Sequence, residues 1–405
     1  MQINKKKRIF IYFLFLISLL VSILAQEDSS GGAQLDKILT ENFYNNFNKG
    51  FKEGIKYFII TNQIHSPIFY FLVNKLNNLF SSNFTQVLYF IISGAIPLIF
   101  YKVLKIKFQK NIDKNILFLI SLIIFLSPYF RSSMVWVTTD NLALFFFIIS
   151  LYFYFVFIKK NENKNINFIL SLFFLVLASY IRQHFAIFYI YFIFYGYLKL
   201  NKKTFSIMIF LSILMALPAI YYYFYAYKIF FNFQVVEVNY YNNFLVYLSI
   251  LLFYLLPFFI SQKNFDILKI NFLHRKKILI LSFLLVLFSY FLSDYNYYEY
   301  GGGVFIKLIN YLELNSLLLL LSIISVIIIV IYVNNIESLI ILFLLFISYP
   351  FGILYQKYFD PVIFIIFLTL IKSDFLYNSL KTNKINLKIV FSYFLIFLIT
   401  ANIYY

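Results

Sequence analysis

Carboxylates and arginines recur where the apolar runs of this sequence stop. EDSSGGAQLD (27–36) follows the first run and holds Glu27, Asp28, Asp36 and two adjacent glycines. RSSMVWVTTDN (131–141) carries Arg131 and Asp140; SYIRQHF (179–185) carries Arg182, Gln183 and His184. Glu237, Glu299 and Asp360 stand in later junctions. A positioned carboxylate takes a proton from a hydroxyl as general base, and the planar fork of an arginine pairs two phosphate oxygens. Other chemistries are excluded or weak. Cysteine is absent, which removes thiol nucleophiles, thiolate metal sites and disulfides. The three histidines, His65, His184 and His274, are far apart in sequence, a poor start for a zinc site. GGG at 301–303 lacks the Lys-Ser/Thr of a phosphate-binding loop and reads as a flexible outer loop, either a lid or a donor-side turn.

The elements that must hold these groups are membrane helices. Of 405 residues, 62% are hydrophobic and only 12% charged, too little polar surface for a water-soluble fold. In lipid every backbone polar group needs an internal partner, so the choice is helices or a closed barrel. The apolar runs have helix length and do not alternate, which selects an all-α polytopic protein with about 11–13 transmembrane helices. The runs are 8–25, 84–101, 115–130, 141–158, 166–181, 184–199, 204–227, 243–260, 278–293, 314–333, 337–350, 360–372 and 388–403.

Placing Lys5, Lys6, Lys7 and Arg8 in the cytoplasm puts the basic loops KVLKIKFQK (102–110), KKNENK (159–164) and LHRKK (273–277) there too. The formal charge of +18 is then a topology signal and calls for no nucleic-acid partner. The first run also has the layout of a signal peptide, with Ala25 near a cleavage point, but its length favours an uncleaved helix. Residues 1–405 read as a single integral membrane domain: an outer loop at 26–83, then a helix bundle at 84–405. Within the loop, FYNNFNKGFKEGIKYFII and SPIFYFLVNKLNNLF carry apolar residues at helical spacing and read as helices lying along the interface. A charge near membrane depth is costly unless paired or facing water, so as a set the outer acids and arginines read as functional. Any one of them reads equally well as the mark of a helix leaving the bilayer.

This layout resembles the GT-C glycosyltransferases, polytopic enzymes that take sugars from polyprenyl-phosphate carriers. Within them it is most similar to the dolichyl-phosphate-glucose glucosyltransferases. Their first loop carries an Asp motif followed by a Thr/Pro-rich stretch; here Asp36 precedes ITNQIHSPIFYFL (60–72) at a similar distance. SPYFRSSMVWVTTDN (127–141) and YIRQHFAIFY (180–189) resemble a proline-bounded helix end running to an acid, then an F-R-Q element, in the same order. The likeness covers about residues 1–200. ILYQKYFDP (353–361) is loosely similar to an E-P-R-Y element, with the Glu and Arg replaced. The adjacent acidic pair of such loops is missing at Asp36, whose neighbour is Lys37; Glu27–Asp28 is the other place for it.

The resemblance implies inverting transfer from a polyprenyl-phosphate sugar to an extracytoplasmic glycan or glycolipid acceptor. It implies no cofactor beyond the lipid-linked donor, and no divalent metal is indicated. Asp36 is the first choice for general base and Asp28 the second. Arg182 and Arg131 are the phosphate candidates, with Lys357 behind them. Asp140 would orient an arginine or bind a sugar hydroxyl, Gln183 and His184 would bond sugar, and His65 would touch acceptor or carrier. The bland alternatives are that Arg182 snorkels to headgroups, His65 caps SPIFYF and His184 starts the sixth span. A flippase of lipid-linked sugars and a polysaccharide polymerase or ligase are the competing functions; the first lacks visible repeated halves and the second places its large outer loop late. Composition without cysteine leans towards a bacterial inner membrane with the first loop periplasmic; the endoplasmic reticulum is the alternative.

Overall fold

The structure, a computed structural model, describes residues 4–61, 66–109, 111–159, 164–226, 239–262, 276–293, 301–314, 316–333, 335–349, 352–382 and 385–404. His65, Glu237, His274 and Glu299 lie outside the described residues. Among those described, helices account for the regular structure and only two isolated bridges form, Gln262–Ile385 and Gly302–Tyr355. Among the described residues six helices are long and apolar enough to cross a membrane: Lys5–Leu24, Ser82–Phe108, Thr139–Lys159, Lys202–Phe224, Tyr240–Ile260 and Leu387–Tyr404. This is an all-α, multi-pass membrane protein.

All thirteen apolar runs contain helix, but several fall short of an unbroken span. The run at 115–130 breaks at Ser127, whose hydroxyl caps Phe130 N, with Pro128 in the first turn; the two halves meet at 62°. Arg182 is extended, and this ends one helix before the run at 184–199 begins with a 3-10 turn. The run at 360–372 yields only the buried helix Val362–Leu368. Asn165–Ile181, Leu317–Tyr332 and Ile336–Ile347 are apolar but shorter than the six.

The chain forms two compact units. The first comprises Met1–Lys110, Lys114–Gln234 and Phe397–Tyr405. Its helices are α1 (Lys5–Leu24), α2 (Ala33–Phe47), α3 (Phe51–Ile60), α4 (Pro67–Leu79), α5 (Ser82–Phe108), α6 (Lys114–Leu122), α7 (Pro128–Trp136), α8 (Thr139–Lys159), α9 (Lys164–Ile181), α10 (Phe188–Lys199) and α11 (Lys202–Ile220). Its core runs along α8, which packs on α5 and α9 and buries Phe147, Leu151 and Tyr154. α1 buries only Leu19 and Ser22 and turns the rest of its apolar surface outward, as a lipid-facing helix does. It meets α5 at Gly94: the Tyr12 hydroxyl donates to the Gly94 carbonyl (2.7 Å), and a Cβ there would sit 3.0 Å from Leu16.

Between the first two spans, α3 and α4 form where helical spacing predicts helices; α2 starts ten residues before the first of those stretches, which breaks after Phe47. Aromatic rings join them: Phe43 to Phe58 (4.8 Å between centroids), Phe43 to Tyr70 (5.6 Å) and Phe47 to Phe71 (5.6 Å). Asn74 clamps α4 to the end of α2, donating to the Tyr44 carbonyl (2.8 Å) and to Asn48 Oδ1 (2.6 Å).

The second unit, Asn111–Asp113 with Val235–Ile396, is organised around Tyr240–Ile260, buried over most of its length and packed on Ser316–Tyr332. Here the glycine run is not a free loop at its described end. Gly302 N donates to the Leu354 carbonyl (2.7 Å), Gln356 N donates to the Gly302 carbonyl (3.2 Å), and Gln356 Oε1 accepts from Val304 N (2.9 Å). Gly302, at φ 72°, allows the turn this pairing needs.

Candidate functional site

EDSSGG (27–32) is a built turn in which the Glu27, Asp28, Ser29 and Ser30 side chains each have a partner within the first unit. Glu27 accepts both of its oxygens' bonds from Arg131 Nε (3.0 Å each), with Nη2 at 2.9 Å. The guanidinium also donates to Ser18 Oγ (3.2 Å), to the Ser18 carbonyl (3.1 Å) and to the Ser22 hydroxyl. Both side chains are 8% exposed. Burial alone would push the Glu27 carboxyl up; the Arg131 fork with the Ser22 and Ser29 hydroxyls more than reverses this and holds it below its ordinary value. Trp136 Nε1 donates to the Glu27 carbonyl (3.0 Å), and Ser30 N donates to Ser132 Oγ (2.9 Å). The loop is thereby fastened to α7, the helix that starts at the Ser127–Pro128 break.

Asp28 does a different job. Its Oδ1 accepts from Ala33 N (2.9 Å) and its Oδ2 from Gln34 N (3.2 Å), so the carboxylate caps α2 from beyond the helix start. Gly31 (φ 67°) and Gly32 (φ 146°) make the tight return that lets it reach. The outcome is that α2 leaves the loop at a fixed angle, with Asp36 exposed in its first turn.

The second constellation is built by the starts of α8 and α4 and the end of α9. Arg182 Nη2 lies 2.5 Å from Asp140 Oδ1, with exposures of 19% and 40%; Thr138 Oγ1 donates to Asp140 Oδ2 (3.1 Å). Tyr70 on α4 is held protonated well above the ordinary range, first by burial; Arg182 opposes the shift, and Tyr44, Asp36 and Asp140 add to it. Tyr44 is pushed up to about 12, again mainly by burial. At neutral pH both tyrosines are neutral hydroxyls, able to donate to an anion.

Beside this polar group lies a cavity of about 700 Å³. α9, α10 and α11 supply most of its wall, including Val176, Ile193, Ile209 and Ile213, and Ser66 and Pro67 close one side. Gln183, the residue after Arg182, lines it and donates to the Tyr223 hydroxyl (2.7 Å). Tyr223 belongs to a π-helical turn, Tyr221–Ala226, which continues α11 just beyond Pro218.

Of the residues singled out by sequence, the structure pairs Asp140 with Arg182 and sets Gln183 beside them; Asp36, in the first turn of α2, shares with them an electrostatic influence on Tyr70. Arg131 and Asp28 sit on the same loop framework with their polar atoms engaged internally. His184 follows in the 3-10 turn with its ring against Phe185 (4.3 Å between centroids). Lys357 belongs to the second unit, with Nζ over the Tyr355 ring (5.6 Å). Among the described residues no His/Asp/Glu cluster has the make-up of a metal site. Sequence reasoning missed Tyr70 and Tyr44, which nothing distinguishes among 37 tyrosines, and Glu27 as the partner of Arg131. No family model, curated protein or solved structure matches the chain.

Proposed function

We propose that the protein transfers a sugar from a polyprenyl-phosphate carrier to a hydroxyl acceptor, as a GT-C-type inverting enzyme of 11–13 spans would. The observation that carries this reading is the apolar cavity of the first unit, with Gln183 in its wall and the adjoining Arg182, 19% exposed, paired with Asp140. The carrier's chain occupies the cavity. Its phosphate takes the Arg182 guanidinium, displacing or sharing Asp140, with the Tyr70 and Tyr44 hydroxyls as further donors. The acceptor oxygen attacks the anomeric carbon while the bond from that carbon to the phosphate oxygen breaks. Asp36 receives the acceptor's proton, and the phosphate leaves as an anion stabilised by Arg182, so no general acid is required.

Asp36 is preferred to Asp28 because it is exposed, whereas the Asp28 oxygens cap α2. On this reading the face lies outside the cytoplasm, in the periplasm of a bacterial inner membrane or the lumen of the endoplasmic reticulum, which the positive-inside distribution of Lys and Arg supports. The test is transfer of labelled sugar from defined polyprenyl-phosphate donors in membranes holding the full chain. Asp36→Asn and Arg182→Gln are each expected to lower transfer by roughly 10²-fold or more. Full transfer by Asp36→Asn overturns the choice of base. Labelled carrier that crosses sealed vesicles with no sugar transferred overturns the enzyme reading in favour of a carrier-moving protein.

A further inference from the structure

At the opposite end of α1 from Glu27, two cations from different helices converge on one tyrosine. Arg8 Nη1 lies 3.4 Å from the Tyr101 hydroxyl, and Lys105 Nζ lies 5.6 Å from the centre of the same ring. Arg8 is on α1; Tyr101 and Lys105 are on the last turns of α5. The Tyr101 ring is fixed from behind by Phe118 of α6, edge to face at 5.6 Å. Among the described residues neither cation has an ion-pair partner, and Arg8 Nε is buried with no hydrogen-bond acceptor. Like charges brought together in a folded protein repel unless something neutralises them, and a buried donor without an acceptor carries a desolvation cost. The first deficit is met by an oxyanion seated between the guanidinium and the ammonium; Nε itself, without accessible surface, stays inside.

The surroundings say where that oxyanion comes from. Arg8 stands one turn inside α1, and the next turns expose Phe10, Phe13, Leu14 and Ile17. A phosphate held at Arg8 is therefore attached to the head of a molecule whose chains can lie along this apolar flank. Further basic groups, Lys7 and Lys102, adjoin the two cations in sequence and raise the local potential. We propose that Arg8, Tyr101 and Lys105 form a binding site for the headgroup phosphate of an anionic glycerophospholipid, separate from the Asp140–Arg182 region and independent of the function proposed there. A zwitterionic lipid also has a phosphate, but its ammonium cancels the charge this site calls for.

The test uses the full chain in nanodiscs of phosphatidylcholine with a minor share of phosphatidylglycerol, and native mass spectrometry to count the lipids that stay bound. The wild type is expected to retain phosphatidylglycerol in preference to phosphatidylcholine. Arg8→Gln with Lys105→Gln is expected to bind it roughly 30-fold more weakly, and Arg8→Lys with Lys105→Arg, which keeps both charges, to restore most of the preference. Equal retention of the two lipids by wild type, or an undiminished preference in the Gln variant, overturns the proposal. Displacement of the retained lipid by inorganic phosphate alone overturns its lipid part, since a site that reads only phosphate gains nothing from the chains.

Discussion

Glu27–Arg131 and Asp140–Arg182 are the same two chemical groups in two settings. The first pair is sealed: both side chains are 8% exposed, and two serines and a backbone carbonyl take up the rest of the guanidinium. The second is more open: Arg182 is 19% and Asp140 40% exposed, and the pair lies beside a cavity, the buried Tyr70 and the half-buried Tyr44. A buried charge with a complete set of partners has no reason to leave them, and serves as a rivet. A half-exposed pair can exchange a carboxylate for a phosphate at little desolvation cost. The contrast assigns opposite experimental signatures to two arginines that the sequence alone makes equivalent.

The largest effect is expected at the rivet. Arg131→Gln leaves the Glu27 carboxylate buried without a cation, which costs about 3–5 kcal/mol, read as a lower unfolding temperature of the purified protein in detergent. Arg182→Gln is expected to cost less than about 1 kcal/mol of stability while abolishing most sugar transfer. If Arg131→Gln unfolds no more easily than Arg182→Gln, the two pairs are not different in kind.

Acid sharpens the same contrast. The folded Glu27 carboxyl titrates below its ordinary value of 4.5, so its contribution to stability is fully present above that pH and is lost as pH falls through the lowered folded value. Wild-type stability is expected to drop on that limb, and Glu27→Gln, already destabilised, to show a flatter acid limb. A parallel pair of curves would mean that Glu27 is not held by Arg131.

The helix cap comes next. Asp28→Ala removes the acceptor for Ala33 N and Gln34 N and is expected to cost about 1 kcal/mol. Because it also frees the direction of α2, it is expected to lower transfer modestly by misplacing Asp36. A loss of transfer as deep as that of Asp36→Asn would make Asp28 the base.

Helical class, the membrane setting and the helices of the first loop are legible in the sequence because apolar runs and helical spacing are local properties. The grouping of Asp140, Arg182 and Gln183 was only partly so: each stands at the end of an apolar run, but which ends meet depends on packing. The fate of Arg131 was illegible. Its partners Ser18, Ser22 and Glu27 are more than a hundred residues away, and no spacing rule connects α1 to α7. The break at Arg182 was readable because two polar residues, Arg182 and Gln183, separate the apolar runs 166–181 and 184–199; the break at Ser127–Pro128 falls inside the apolar run 115–130, and its only local signal is a capping serine before proline. The glycines at 301–303 misled towards freedom, since the pairing of Gly302 with Leu354 and Gln356 lies fifty residues on.

The smallest expected effect is at Asp140, and it is the most specific. Asp140→Asn deletes the charge from an exposed pair and keeps an oxygen able to accept from Thr138, so the stability change should stay within about 1 kcal/mol. In the wild type, salt of about 1 M shortens the Debye length to ~3 Å and should erase that difference; the Glu27–Arg131 pair, shielded from solvent, should be indifferent to the same salt. Removing Asp140 also removes the group that competes with a phosphate for Arg182, so binding of a polyprenyl phosphate should hold or tighten by a few-fold, the size expected for one surface-level ion pair. The measurement is unfolding temperature at low and high salt alongside titration with the lipid phosphate. Weaker phosphate binding by Asp140→Asn would mean that the carboxylate positions Arg182 for its ligand, and the open pair would then be a fixed piece of architecture like the sealed one.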